Sequence, residues 1–174
     1  MNKLERIKDR RVQDLIQRYL ELLQENFKGR LISVAIFGSV ARNEAKFPGS
    51  DIDFLVVVEG IKGTFGRRIH QMMDFDRKLR ETAEFKEFTR EKGTWPLIQE
   101  YIFSPEEIKH HPPLLLDLTS DVYILYDKED FLKNELQTLQ ETFAKLGTKK
   151  VTLPNGEWFW ILKPKTKLHE AVEL

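Results

Sequence analysis

Two short clusters of polar residues stand at the ends of apolar segments, and both have the composition of a ligand site. The first is Gly38-Ser39, which follows the apolar run 31–37. A glycine lets the backbone approach a ligand closely, and the amides at the start of a following helix point outward as donors to an anion. The Ser39 hydroxyl adds a further donor, so this turn is a candidate cradle for phosphate.

The second cluster is a pair of aspartates, Asp51 and Asp53, at the start of a strand predicted over 52–58. Side chains alternate along a strand, so both carboxylates project from one face while Ile52 points to the other. Two adjacent carboxylates repel each other unless a cation lies between them. Mg²⁺ is the expected cation, because it prefers oxygen ligands and is usually held by one or two carboxylates together with substrate phosphates.

The strands that carry these clusters must be neighbours for the clusters to act together. The segment 38–50 is barely long enough for a parallel crossover, so we expect an antiparallel pair. That arrangement places the end of the first strand beside the start of the second, as metal-assisted phosphoryl transfer requires. Either cluster alone is more often a plain turn or cap. Their occurrence in this order, between two apolar strands, favours the functional interpretation.

Hydrophobic periodicity and turn residues predict alternating helices and strands along the rest of the chain. Helices are predicted over 2–27, 39–45, 64–92, 113–119 and 128–146, and another starts at Ser104. Strands are predicted over 31–37, 52–58, 97–103 and 122–126. This order is typical of an α/β (α+β) fold with a mixed β-sheet flanked by helices.

The chain changes character after Gly147, which divides it into a body, residues 1–147, and an appendage, residues 148–174. An Asn155-Gly156 pair predicts a β-hairpin in the appendage. The hairpin carries three consecutive aromatic residues, of which Trp158 and Trp160 share one face. Docking on the body, as part of the same domain, is the favoured use of this surface. Stacking on a base and contact with a partner are the alternatives.

The composition excludes several classes of protein. The chain has 28 Lys and Arg against 28 Asp and Glu, a balance that argues against nucleic-acid binding by bulk electrostatics. It has no cysteine, hence no disulfide or thiolate metal site. The N-terminal residues lack the apolar core of a signal peptide, and no apolar run approaches the roughly 20 residues that span a bilayer. These features predict a cytoplasmic protein without membrane contact.

The run Gly38-Ser-Val-Ala-Arg42, followed by Ser50-Asp-Ile-Asp53 and an apolar strand, resembles the signature of the DNA polymerase β-like nucleotidyltransferases. It is similar to the small prokaryotic minimal nucleotidyltransferases, including those paired with HEPN-domain toxins. The specific likeness covers residues 35–58. It implies the nucleotidyltransferase fold and a Mg²⁺-dependent transfer of a nucleoside monophosphate, AMP from ATP, to an acceptor hydroxyl.

The resemblance also implies roles for individual residues in the nucleotide site. Gly38 and Ser39 are expected to grip the β- and γ-phosphates, and Ser50 to join the nucleotide-binding set. Arg42 either steadies the triphosphate charge or forms an ion pair with Glu44.

The metal ligands implied by the resemblance are Asp51 and Asp53, which would hold two Mg²⁺ ions. The superfamily commonly adds a third carboxylate, which binds metal and accepts the proton of the acceptor, on a later neighbouring strand. Glu100 is the only acid on the strand predicted over 97–103 and is the candidate for this catalytic role. The alternative is an exposed strand residue, and Asp117 is a more distant substitute.

The resemblance leaves the acceptor open among a protein hydroxyl, a small molecule and an RNA end, of which the nucleic acid is less favoured. Its toxin–antitoxin members suggest a tyrosine of a separate HEPN-type toxin protein as acceptor. Assembly with further copies of the chain also remains open. The rival hypothesis is a catalytically weak nucleotide-binding module that regulates a partner protein by binding.

Overall fold

A four-stranded mixed sheet lies at the centre of the computed structural model, which describes residues 4–155 and 157–164. Its strands are β1 (Leu31–Phe37), β2 (Asp51–Val58), β3 (Leu97–Phe103) and β4 (Tyr123–Asp127), in the order β3-β2-β1-β4. The strand β1 is antiparallel to both β2 and β4, whereas β2 and β3 are parallel. The predicted mixed sheet and the antiparallel pairing of the first two strands are both confirmed.

Helices cover both faces of this sheet. They are α1 (Arg10–Phe27), α2 (Gly38–Ala41), α3 (Phe65–Glu81), α4 (Ala83–Lys92), α5 (Pro105–Lys109), α6 (Leu114–Leu118) and α7 (Phe131–Leu146). On one face, which we call the α1 face, Tyr19 of α1 and Phe88 of α4 share a core with Phe54 of β2. On the other, the α7 face, buried residues of α5, α6 and α7 surround Leu55 and Val57. No helix of the described ranges is long and apolar enough to cross a bilayer.

Polar side chains set helix boundaries that periodicity does not reveal. The helix predicted over 2–27 begins only at Arg10, because the Asp9 carboxylate accepts from the amides of Arg11 and Val12 and caps the first turn. The long helix predicted over 64–92 is divided at Thr82, whose hydroxyl accepts from the Phe85 amide and starts α4. The short helix predicted over 39–45 is the single turn α2.

The predicted C-terminal hairpin is present as β5 (Lys149–Thr152) and β6 (Trp158–Ile161), which pair antiparallel. Gly156 of the predicted turn lies outside the described residues, as do residues 165–174. The Trp160 ring lies 5.3 Å from that of Phe143 on α7. The indole N–H groups of Trp158 and Trp160 both donate to Oδ1 of Asp117 on α6, at 2.8 and 3.0 Å. The hairpin therefore packs on the α7 face of the body.

Candidate functional site

The Gly38-Ser39 turn, which we call the phosphate turn after its predicted role, and the aspartate pair meet where β1 ends and β2 begins. Phe37, the last residue of β1, pairs with Asp53 in the antiparallel register. The next residue, Gly38, has a φ of +69°, a conformation that side chains strongly disfavour. A Cβ at Gly38 would lie 2.5 Å from Oδ2 of Asp53, closer than van der Waals contact permits. The absence of a side chain at Gly38 thus leaves room for the Asp53 carboxylate to lie against the turn.

Asp51 and Asp53 lie on the α7 face of β2, and both are partly buried. Burial, together with the negative charge of Asp51, raises the pKa of Asp53 from 3.8 to about 6, although Arg42 acts in the opposite direction. Repulsion between the two carboxylates is therefore only partly compensated by the protein. A pair of hard oxygen donors whose charge is only partly compensated fits a divalent cation such as Mg²⁺.

The first turn of α2 presents further donors to the same place. Amides at the start of a helix have no partner within the helix, and Phe37 supplies no side-chain cap here. A cavity of about 300 Å³ opens beside them. It is lined by residues of the turn, the aspartate pair, α6 and the hairpin: Phe37, Gly38, Ser39, Arg42, Asp51, Asp53, Leu114, Asp117, Asp121, Lys150 and Trp158.

Arg42 forms the ion pair with Glu44 that was one of its two predicted roles, and its role toward a triphosphate stays a prediction. Its Nε donates to Oε2 of Glu44 at 2.8 Å, while its positive charge acts on Asp53 and its side chain lines the cavity. Ser50 is placed differently from the rest of the predicted set. Its hydroxyl accepts from the Lys46 amide at 2.8 Å and closes the preceding loop, and it does not line the cavity. A role for Ser50 in nucleotide binding stays a prediction.

The prediction that Glu100 is a third metal ligand is wrong. Glu100 is paired with Phe54 in the parallel register and shares its face, the α1 face, whereas Asp51 and Asp53 project from the opposite one. It is buried there, and the Tyr19 hydroxyl donates to its Oε1 at 3.0 Å. Burial, and secondarily the charge of Asp76, raises the pKa of Glu100 from 4.5 to about 7.

This burial predicts a pH-dependent stability that Glu100→Gln removes. Because the pKa of Glu100 is higher in the folded than in the unfolded state, the protonated carboxyl stabilises the fold. This stabilisation is complete below pH 4.5 and is lost as pH rises through about 7. By linkage, the free energy of unfolding falls by about 2–3 kcal/mol across this pH range. Glutamine can still accept from Tyr19 but does not ionise. Urea unfolding at pH 5 and pH 8 should show a smaller fall in the variant; equal falls would contradict the assignment.

The position opposite Asp53 on β3 is filled by Gln99. With Leu97, Tyr101 and Phe103, Gln99 forms the α7 side of β3, a strand described in full, and none of the four is a carboxylate. The Gln99 amide donates to the Tyr101 hydroxyl at 2.9 Å. Burial, followed by the charges of Asp53 and Asp51, raises the pKa of Tyr101. Within the described ranges, no group of three or more His, Cys, Asp or Glu could hold a metal ion.

Residues distant in sequence complete the cavity, and the sequence did not identify them as a set. Lys150 and Trp158 come from the hairpin, and Asp117 and Asp121 flank the end of α6. Lys150 Nζ lies 3.7 Å from Asp117 Oδ1 and 3.9 Å from Asp121 Oδ2. Alternation of the tryptophans along β6 indicated a shared face, but nothing in the sequence indicated which surface of the body that face covers.

The whole arrangement agrees with a comparison of the sequence with known families. The profile of the nucleotidyltransferase domain matches residues 16–137, more than half of the chain. The chain belongs to the nucleotidyltransferase domain family. The matched segment contains the phosphate turn, the aspartate pair and all four strands of the central sheet, and it ends within α7, before the hairpin.

Individual relatives of this nucleotidyltransferase domain are distant. A Methanocaldococcus jannaschii protein, provisionally named a protein adenylyltransferase, is 26% identical over 79% of this chain and 87% of its own length. The Enterococcus faecialis spectinomycin adenyltransferase AAD(9), solved with ATP and spectinomycin, has a TM-score of 0.50 at 17% identity, covering 76% of this chain and 66% of that one. This second likeness is one of fold.

A third likeness is to a chain in the complex of the tri-AMPylated Shewanella oneidensis HEPN toxin with its MNT antitoxin. The TM-score is 0.40 at 13% identity, and the alignment covers 78% of this chain and 92% of that one.

Proposed function

We propose that this domain transfers AMP from ATP to a hydroxyl group of another protein, with Mg²⁺ as the metal. The observation that carries the proposal is the pairing of Phe37 with Asp53, which sets the Gly38 turn against the aspartate carboxylates. Donors for a triphosphate and ligands for a divalent cation thereby line one cavity, as nucleotidyl transfer requires.

The reaction forms a bond between the acceptor oxygen and the α-phosphorus and breaks the bond from that phosphorus to the bridging oxygen of pyrophosphate. Mg²⁺ held by Asp51 and Asp53, when bound, would lower the pKa of the hydroxyl and neutralise charge on the phosphates. Gly38 and Ser39 would hold the phosphates in line for attack. The proton of the hydroxyl leaves to solvent in this scheme, because Glu100 lies on the other face of the sheet.

A protein acceptor is favoured by the relative of similar length that is provisionally named a protein adenylyltransferase. A balanced net charge gives no support to a nucleic-acid acceptor. The first acceptor to test is therefore a tyrosine of a HEPN-type toxin, which the sequence resemblance implies.

One observation favours a second function, the regulation of a partner by nucleotide binding without transfer. Gln99 occupies the place on β3 opposite Asp53, and Glu100, the only carboxylate on β3, faces away from the aspartates. An amide there neither binds Mg²⁺ strongly nor accepts a proton at neutral pH. The two functions differ in one measurable outcome, the appearance of covalently bound AMP.

The test is to incubate the protein with ATP labelled at the α-phosphate, Mg²⁺ and a HEPN-type protein, and to find the label by mass spectrometry. The proposal predicts AMP on a hydroxyl of the acceptor, lost in Asp51→Asn and retained within about threefold in Glu100→Gln. Binding of ATP without any transfer would support the regulatory function instead. A loss in Glu100→Gln equal to that in Asp51→Asn would restore Glu100 to the catalytic set.

A further inference from the structure

The hairpin lies outside the segment that matches the family, yet it contributes two residues to the nucleotide cavity. The family match ends at residue 137, and the hairpin begins with β5 at Lys149. Lys150 and Trp158 line the same cavity as Gly38, Ser39 and the two aspartates. The hairpin therefore contributes to this cavity from outside the matched segment, and its chemistry bears on what the site binds.

The side chain of Trp158 is held firmly in place at this cavity. Its indole N–H donates to Oδ1 of Asp117 at 2.8 Å, and the same oxygen accepts from the indole of Trp160. Lys150 Nζ lies over the Trp158 ring, 4.7 Å from its centroid, and is itself paired with Asp117. Trp160 in turn contacts Phe143 of α7, so both strands of the hairpin are tied to the body.

Trp158 keeps 46% of its surface exposed despite these contacts. An indole that is fixed in position, lines a cavity and keeps much of its surface in water has the properties of a stacking platform. Nucleic bases stack on aromatic side chains because every base presents a flat π-face. The cavity already offers places for the triphosphate at Gly38 and Ser39, and the base of the same nucleotide needs an apolar surface.

We propose that the base of the bound nucleotide stacks on the face of the Trp158 indole that Lys150 does not cover, and that Asp117 is the positioning residue that holds this indole in place. This proposal rests on the proposed function, since it concerns the nucleotide of that reaction. It assigns the hairpin a direct role in nucleotide affinity, in addition to packing on the body.

The test compares the dissociation constants of ATP and of inorganic tripolyphosphate, which lacks a base, in the presence of Mg²⁺. In Trp158→Ala the constant for ATP should rise about 5- to 100-fold, the range expected for loss of one base–aromatic stack, while that for tripolyphosphate stays unchanged. In Trp158→Phe, which keeps an aromatic face but loses the N–H that Asp117 holds, ATP affinity should fall less than in Trp158→Ala, and tripolyphosphate affinity should stay unchanged. Trp95→Ala, which removes an exposed tryptophan that does not line the cavity, is the matched control and should change neither constant.

Asp117 is tested by rescue. In Asp117→Leu the indoles lose their shared acceptor, so ATP affinity should fall relative to tripolyphosphate affinity, which the lost charge alters equally in Asp117→Leu and Asp117→Asn. Asp117→Asn retains an oxygen acceptor and should restore ATP affinity to within about threefold. Equal losses in the two variants would overturn the positioning role.

Two outcomes separate this proposal from the proposed function. Unchanged ATP affinity in Trp158→Ala, or equal weakening of ATP and tripolyphosphate, overturns the stacking while leaving AMP transfer intact. ATP affinity that depends on Trp158 in a protein that transfers no AMP supports the stacking and overturns the transferase. A wild-type chain that binds no ATP overturns both.

Discussion

Replacing Asp53 with asparagine is expected to lower AMP transfer by about 100- to 10,000-fold, because a neutral amide is a poor ligand for Mg²⁺ and metal stabilisation contributes several kcal/mol to such reactions. The same change should stabilise the fold. Asp53 is charged, half-buried and repelled by Asp51, and its raised pKa corresponds to about 1–2 kcal/mol at pH 8 once solvent screening is allowed for. Transfer rates and urea unfolding at pH 8 measure the two effects.

Asp76→Asn is the matched control for Asp53→Asn. Asp76 is also partly buried with a pKa raised mainly by burial, but it lies on α3, near Glu100 on the α1 face. Its replacement should leave transfer within about threefold of the wild type. Transfer that survives Asp53→Asn would show that the reaction centre lies elsewhere. Reduced stability in Asp53→Asn would show that the charge of Asp53 does not destabilise the folded state.

Replacing Gly38 with alanine is expected to disable the site and destabilise the fold together. The added Cβ would meet Oδ2 of Asp53 at 2.5 Å, and the φ of +69° is strained for any residue with a side chain. Relief requires the carboxylate or the turn to move, and a small displacement of a reacting group costs about 100-fold in rate. The strain itself costs about 1–3 kcal/mol of unfolding free energy. Transfer rate and urea unfolding report the two losses.

Gly29→Ala provides the control for Gly38→Ala. A Cβ at Gly29 would meet no atom within 4 Å, and its φ lies outside the strained region. We expect near wild-type transfer and stability from this variant. If Gly38→Ala behaved like Gly29→Ala, the close approach between turn and carboxylate would have no role in positioning Asp53.

The sequence was sufficient to predict that the Gly38 turn and the aspartate pair lie together, because these segments are neighbours in the chain. The apolar strands around Gly38 and Asp53 follow each other in the chain, and alternation along β2 fixes which side chains share a face. The short connection between them favours an antiparallel pair, and the structure has it. Family resemblance then added the roles, but the contacts themselves follow from spacing alone.

The role of Glu100 could not be decided in the same way, because it depends on the register between two strands that are distant in sequence. A shift of one residue moves every side chain to the other face of the sheet. The pairing of Glu100 with Phe54 places it on the α1 face, and Gln99 faces the aspartates instead. Tyr19 of α1 supplies the partner that makes burial of Glu100 tolerable.

The sequence also could not predict the cavity beside Trp158, because this cavity depends on where the hairpin docks. The pattern of tryptophans favoured docking on the body over stacking and partner contact, but it did not indicate which surface of the body the hairpin covers. A single carboxylate, that of Asp117, orients both indoles. Helix boundaries at Asp9 and Thr82 were missed for a related reason, because caps depend on side-chain hydrogen bonds that periodicity does not report.

The two sides of the cavity differ in how much of the chain must be ordered to build them. Gly38 and Asp53 are joined by one short segment, so closing that loop costs little conformational entropy. Trp158 reaches the same cavity only after the chain has passed through β3, β4 and α7. A fluctuation that releases the C-terminal strands would thus remove one side of the cavity while the β1–β2 pair keeps the other. The part of the cavity proposed to bind phosphates can therefore stay folded when the part proposed to bind the base does not.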